Sequence, residues 1–374
     1  MKKYLIFILA LVLISFPIFE TKPQITFAQT SNQELITLDN VETFISRAGN
    51  NRSAYSSGEK TASAYLAQKM QENNLSYYKS STSYIYEFSV GINKSQNVIG
   101  VQKSAKDNAK TVILGAHYDN VYNFNGETTY SNGVFDNGSG VLCLLAIMKE
   151  LTKLQLPYNI IYVFYGAEET GLHGSKNFVF NLSALEIKNT IMAFNFDSIG
   201  VGDYTYYYSG DSANSYKEIF ANNNYNIKEM PQNKRINLLT NFEGYAYTHI
   251  GLMSDNTAYL KKNIKCTTFF SGNLSHSGTG YIESENKNNI SHTKNDNLLY
   301  ITENYPNFLS SINNVANLTI STLILEDFEE RIEKSNNEIN LFFLNNKVVI
   351  GSIFLVGILI LFALKPKSLR QKLN

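Results

Sequence analysis

The 374-residue chain has no tryptophan, six prolines and two cysteines, and its 32 basic side chains are matched by 32 acidic ones. Two cysteines, Cys143 and Cys266, are too few for a disulfide-stapled scaffold or a zinc site built of thiolates. A formal net charge of zero leaves no electrostatic footprint for nucleic acid or an anionic lipid surface. Charged residues make up 17% and apolar ones 44%, which excludes a disordered chain and provides for a sizeable core. The length admits one large domain or two smaller ones. No internal repeat or Pro/Gly-rich linker divides the middle of the chain, so it reads as one.

The two ends carry their own signals. Lys2 and Lys3 precede an apolar stretch from Tyr4 to Phe19, and a polar segment then ends in Thr26-Phe27-Ala28. That is the layout of a secretory signal peptide over residues 1–28, with an uncleaved anchor as the alternative. Near the other end, an uncharged run from Val348 to Leu364 is followed at once by Lys365, Lys367, Arg370 and Lys372. Such a run predicts a transmembrane helix over 347–364, and the basic tail, 365–374, would stay on the cytoplasmic side. The body is then expected outside the cell, tethered to the membrane at its C-terminus. The charged, then Asn-rich stretch 318–346 reads either as a helical stalk or as a solvated terminal helix of the domain.

Between these ends, residues 29–317 read as one α/β domain. Ala62, Tyr65, Leu66 and Met70 are spaced for an amphipathic helix over Glu59–Glu72. Short β-rich runs follow at Tyr84–Val90 and Asn97–Val101. Near-continuous apolar runs come next, at Thr111–Leu114, Ile160–Tyr165 and Ile191–Phe196. Unbroken apolar runs mark strands buried on both faces of a mainly parallel sheet. A helical pattern over Val141–Leu154 between the first two predicts helices covering that sheet.

Each apolar run ends in ligand-type groups. The first leads into Gly115-Ala116-His117-Tyr118-Asp119, the second into Gly166-Ala167-Glu168-Glu169, and the third into Asp197. Parallel sheets bind ligands at the carboxyl ends of their strands, so these groups are expected to meet in one crevice. Asp136 lies in the Gly-rich loop before the covering helix, and His292 lies far downstream in Ser291-His292-Thr293-Lys294-Asn295-Asp296. A paired divalent site needs a bridging carboxylate, a few N/O ligands per ion and an open water position. One ion can take His117, Asp136 and Asp197, and the other Asp136, Glu169 and His292. Glu168 stays free to accept and return a proton. Asp119, two residues after His117, is placed to orient the imidazole.

Together these segments resemble the M28 family of co-catalytic zinc peptidases, of the aminopeptidase type. The resemblance rests on Gly115–Asp119, Val134–Gly140, Tyr162–Gly174, Asn195–Gly200 and His292-Thr293-x-x-Asp296, with Asn51–Met70 resembling the family's first helix. It implies a zinc-aminopeptidase-type α/β fold with a mixed, mainly parallel sheet. It also implies two Zn2+ per chain on His117, Asp136, Glu169, Asp197 and His292, with Asp136 bridging. Glu168 would be the general acid/base, Asp119 the orienting acid, and the Asp136–Asn137 peptide cis. The implied substrate is the free N-terminus of a peptide or protein. Related glutaminyl cyclases use one zinc, and a non-catalytic ectodomain would be expected to have lost Glu168 or a ligand.

Two features depart from the family pattern. Some twenty residues separate the run Phe269-Phe270-Ser271-Gly272 from His292, which makes His276 a rival last ligand. Ser254-Asp255-Asn256 stands where the family commonly has Ser-Asp-His, and Asn cannot reproduce the acid/base behaviour of an imidazole. His173 and His249 read as packed histidines, and the two cysteines as buried thiols rather than a disulfide.

Overall fold

The computed structural model describes residues 33–124, 127–128, 130–209, 217–220, 224–230, 254–274 and 282–334. The expected signal peptide, transmembrane run and basic tail, together with His249 and His276, lie outside the described residues. Helices α1 (Leu38–Ala48) and α2 (Ser57–Glu72) lead into strands β1 (Ser76–Tyr77), β2 (Ile85–Val90), β3 (Asn93–Gln102) and β4 (Thr111–His117). After the small hairpin β5 (Asn123–Phe124) and β6 (Glu127–Thr128) come α3 (Gly140–Leu151) and β7 (Asn159–Tyr165). Then follow α4 (His173–Phe180), α5 (Ala184–Asn189), β8 (Thr190–Phe196), β9 (Tyr204–Ser209), β10 (Lys228–Glu229), α6 (Asn256–Lys261) and β11 (Cys266–Gly272). The last helices are α7 (Leu298–Asn304), α8 (Phe308–Leu323) and α9 (Phe328–Lys334).

Nine strands form one mixed sheet in the order β1-β3-β7-β4-β8-β11-β9-β10, with β2 also paired to β3. Its centre, β7-β4-β8-β11, is parallel, while β3 and β9 join it antiparallel on either side. In β4, β7 and β8 every residue after the first is buried, and β11 is buried throughout. The apolar runs therefore behave as doubly covered strands do. β11 begins at Cys266 itself, because Thr267 and Thr268 pair on both sides and are buried despite their hydroxyls.

Helix α3 is buried around nearly its whole circumference, at Val141, Leu142, Cys143, Leu144, Ala146, Ile147 and Met148. A helix apolar on all sides belongs inside a layered fold, and Cys143 Sγ lies 3.9 Å from the Ile312 carbonyl of α8. Both cysteines are free and buried, and burial pushes both thiols above their ordinary range.

The sequence reading ends the domain at residue 317, but α8 runs straight through that position with Leu318, Ile320 and Leu323 buried. In α9, Phe328 and Ile332 are buried one turn apart, and Phe328 stacks on Phe194 of β8 with ring centroids 6.4 Å apart. Lys110 pairs with Glu329, and the Tyr158 hydroxyl bonds the Leu323 carbonyl. Residues 318–334 are thus the terminal helices of the body rather than a stalk. The charges of that stretch hid an i, i+4 apolar pair. Among the described residues no single helix is long and apolar enough to cross a membrane.

The start of the body is tied to α8. Asn313 Oδ1 accepts the backbone N–H groups of Leu35 (2.7 Å) and Ile36 (2.9 Å), and its Nδ2 donates to the Ile36 carbonyl (2.8 Å). Asn313→Ala strands these groups, so stability should fall by about 1–3 kcal/mol. The measurement is a urea midpoint shifted down with an unchanged denaturant slope.

Candidate metal centre

The C-terminal ends of β4, β7 and β8 lie side by side in the sheet, and they deliver His117, the Gly166–Glu169 turn and Asp197 to one crevice. The turn before α3 brings Asp136, and the loop before α7 brings His292. His117 Nε2 lies 3.5 Å from Asp136 Oδ1 and 3.3 Å from Asp197 Oδ1. His292 Nε2 lies 3.2 Å from the other Asp136 oxygen, Oδ2, and 3.0 Å from Glu169 Oε2. Glu168 joins His117 and Glu169 in a third donor group within 4.8 Å. All six residues that the sequence singled out for metal or proton chemistry are therefore brought together.

These separations test whether cations fit. Ligand atoms about 2.1 Å from a tetrahedral zinc ion stand about 3.4 Å from one another, close to the four distances above. Glu169 Oε1 is buried with no hydrogen-bond partner among the described residues, which a cation would relieve. The two Asp136 oxygens face separate imidazole–carboxylate sets, so the residues fit two ions sharing one carboxylate.

Without cations, charge accumulates here. Burial pushes the Glu168 carboxyl well above the usual carboxylate range; His117 opposes this, while Glu169, Asp255 and Asp197 reinforce it. Burial also drives Glu169 upward, with Asp136 adding to the effect. For His292 burial disfavours the charged ring, but bonds to Asp136 and Glu169 outweigh it and hold the imidazole at about 11. The protons on these rings stand where divalent ions would compete for the same lone pairs.

The support is built from buried polar groups that grip backbone. Asp119 faces His117 Nδ1 at 3.7 Å, and its carboxylate also accepts the N–H groups of Glu168 (3.0 Å) and Glu169 (3.2 Å). It therefore holds the turn that carries Glu168 and faces the outer nitrogen of the ring. Asp296 accepts Phe135 N–H (2.7 Å) and Asp136 N–H (3.1 Å). The Asp136–Asn137 peptide is cis. The Asn137 side chain donates to the His117 and Phe196 carbonyls and accepts from Gly140 and Ser198, tying the ends of β4 and β8 together.

Two residues of this support had no assigned role in the sequence reading. Glu59, fully buried in the first turn of α2, accepts Ala167 N–H (3.0 Å), Tyr55 N–H (2.7 Å) and the Ser95 hydroxyl (2.5 Å). It presses so close to Gly166 that a Cβ there would meet its Oε1 at 2.7 Å. Burial raises this carboxyl to about 7. Arg52, also fully buried, donates to the carbonyls of Tyr118 (2.7 Å), Gly49 (3.0 Å), Asn132 (3.0 Å) and Gly133 (2.8 Å), with its guanidinium over the Phe44 ring. It lashes the segment after His117 to the segment before Asp136. Their only sequence signal was their place in the stretch resembling the family's first helix, since partners that are backbone atoms leave no side-chain pattern.

Two other marked positions have partners of their own. His173 opens α4, its backbone N–H bonded to the Ala167 carbonyl at 3.0 Å. Asn256 is buried and its Nδ2 donates to the Tyr208 hydroxyl at 2.6 Å, so its amide engages β9.

Residues 97–316, more than half of the chain, match the model of peptidase family M28. The chain belongs to peptidase family M28. Over 107 residues this M28 chain is 36% identical to aminopeptidase YwaD of Bacillus subtilis, covering 28% of the chain and 22% of that protein. Over 122 residues it is 34% identical to the probable lipoprotein aminopeptidase LpqL of Mycobacterium tuberculosis, covering 32% and 23%. The matches thus span less than a quarter of the length of these two curated relatives. The fold is similar to that of a zinc aminopeptidase from B. subtilis, with TM-score 0.55 at 15% identity over 77% of this chain and 97% of that one. It is equally similar to a Porphyromonas gingivalis glutaminyl cyclase, with TM-score 0.54 at 17% identity over 78% and 99%.

Arg52→Met keeps the length of the stem but leaves four carbonyls without their donor. The M28 chain should lose about 3–4 kcal/mol of unfolding free energy, well beyond an ordinary surface substitution. Chemical denaturation of the two proteins side by side checks this.

Proposed function

We propose that this M28 chain is a zinc aminopeptidase, held outside the cell by a C-terminal membrane span, that removes residues from the free N-termini of peptides. The observation that carries the reading is the division of Asp136, one oxygen toward His117 and Asp197 and the other toward His292 and Glu169. Two zinc ions bound in these sets would supply Lewis-acid polarisation of the scissile carbonyl, an anchor for the α-amino group and an acidified water. His117, Asp136 and Asp197 would hold one ion, and Asp136, Glu169 and His292 the other. The aminopeptidase names of the curated relatives support the reaction class.

Glu168 is the proton carrier. The residue is 7% exposed, and its carboxyl lies beside the donor sets without being needed in either. Burial raises its proton affinity, which suits a group that takes a proton from the attacking water and returns it to the departing amine. Asp119 fixes the Glu168 backbone and faces the outer nitrogen of His117, so acid and ligand keep one relative geometry. The N-terminal Lys2–Ala28 layout and the run Val348–Leu364 with its basic tail support export and anchoring.

A cyclase reading draws on the glutaminyl cyclase neighbours of similar fold. It is disfavoured by the second donor set, complete in Asp136, Glu169 and His292.

One experiment separates these reactions. The zinc-loaded full chain is incubated with short peptides whose N-termini are free, acetylated or glutamine, beside Glu168→Gln, and the products are weighed by mass spectrometry. Free amino acids should appear from unblocked peptides only. Glu168→Gln should keep its metal content and lose about 10²–10⁴-fold in rate. Pyroglutamate from the glutamine peptides would establish the cyclase instead, and an undiminished Glu168→Gln would remove Glu168 from the mechanism.

A further inference from the structure

His292 is the most exposed member of the cluster. Its side chain is 38% accessible, against 2% for His117, 9% for Glu169, 11% for Asp136 and 16% for Asp197. It also sits on left-handed backbone, φ +60°, a region residues with a Cβ seldom occupy. Surrounding side chains enclose this ring less than any other ligand, so its aim depends on the loop that carries it.

That loop closes around a buried acid. Glu283 is fully buried, and Oε2 accepts Ile290 N–H at 2.6 Å while Oε1 accepts Ser291 N–H and the Ser291 hydroxyl, both at 2.9 Å. Ile290 and Ser291 are the two residues immediately before His292. Glu283 is itself fixed by its own backbone: its N–H donates to Asn289 Oδ1 (2.8 Å) and its carbonyl accepts Asp203 N–H (3.1 Å). The Asp203 carboxylate pins the outer side through the Ser284 hydroxyl (2.7 Å), Asn273 Nδ2 (2.6 Å) and Glu285 N–H (3.0 Å). Beyond His292, the Thr293 N–H and hydroxyl turn back to the Ile290 carbonyl at 3.0 and 2.7 Å.

We propose that Glu283 is a positioning residue for His292, fixing the two peptides before it and so aiming the imidazole at Asp136 and Glu169. The inference rests on the two-ion reading above, and it gives a task to the stretch between β11 and His292 that departs from the family pattern. Glu283 acts through backbone on one donor set only. Its loss should weaken the ion shared by Asp136, Glu169 and His292 and spare the one held by His117, Asp136 and Asp197.

The test is a titration of the metal-free full chain with Co2+, followed by calorimetry and visible absorption, for wild type, Glu283→Gln and Ser291→Ala. Glutamine keeps the size of the side chain but turns an amide N–H toward a backbone N–H. Wild type should bind two ions. Glu283→Gln should bind the first as wild type does and the second about 10–100-fold more weakly. Ser291→Ala, which removes the hydroxyl bond alone, should show a smaller loss on the same ion. Unchanged affinities for both ions in Glu283→Gln would overturn the proposal, as would an equal weakening of both, the mark of a merely structural role. If Glu283→Gln does not fold, Ser291→Ala decides by the same two criteria. Fewer than two ions on the wild-type chain would sink the two-ion reading itself, and with it the ion that Glu283 is proposed to serve.

Discussion

Buried carboxylates that accept backbone N–H groups hold this centre together. Asp119 takes the amides of Glu168 and Glu169, Glu59 that of Ala167, Asp296 those of Phe135 and Asp136, and Glu283 those of Ile290 and Ser291. Each acid lies at or next to a segment carrying a side chain of the donor groups. Desolvation opposes this: burial raises Glu59 and Asp296 to about 7 and lifts Glu283 as well. Charge-assisted bonds to two or three donors offset that cost. The gain is directional, because a carboxylate gripping consecutive peptides fixes both the position and the tilt of the next residue along the chain.

The sheet supplies the rest of the precision. Side chains at the ends of adjacent parallel strands inherit their spacing from the hydrogen-bond ladder: His117 is paired with Tyr165 of β7, and Asp197, just past β8, donates its N–H to the Phe269 carbonyl of β11. Asn137 then bonds the last carbonyls of both strands. Side chains at strand ends sit beside many cooperative bonds; the loop residues Asp136 and His292 each have a buried acid gripping adjacent amides, Asp296 and Glu283. The accessibility of the His292 ring follows from that division.

The strands were legible because β4, β7 and β8 are covered on both faces and so read as unbroken apolar runs. His117, Glu168, Glu169 and Asp197 were legible because they stand at the ends of those runs, where an acid or a histidine has no packing reason to be; Asp136 and His292, in loops, were legible only through the Gly-rich turn and the His-Thr-x-x-Asp segment around them. The end of the domain was open between a stalk and a terminal helix, since Phe328 and Ile332 are outnumbered by Glu326, Asp327, Glu329, Glu330 and Arg331 in the same stretch. β9, Tyr204–Ser209, was missed because its tyrosines and threonine do not make an aliphatic run; its pairing with β11 buries Thr205 to Tyr208 and makes it a strand. Arg52 and Glu59 escaped notice for a deeper reason. Buried charges satisfied by carbonyls and amides depend on chain geometry, which residue types alone do not encode.

The first turn of α2 joins two tasks that proteins usually keep apart. Ser56 caps the helix by accepting the Glu59 N–H, and Glu59 in turn accepts the Tyr55 N–H on one oxygen while its other oxygen holds Ala167, the residue before Glu168. Helix starts are ordinarily where stability is adjusted with little effect on activity. Here the two quantities share an atom group. A substitution that loosened or tightened this helix start would therefore also shift Ala167, next to Glu168, so helix stability and site geometry cannot be varied independently at this turn.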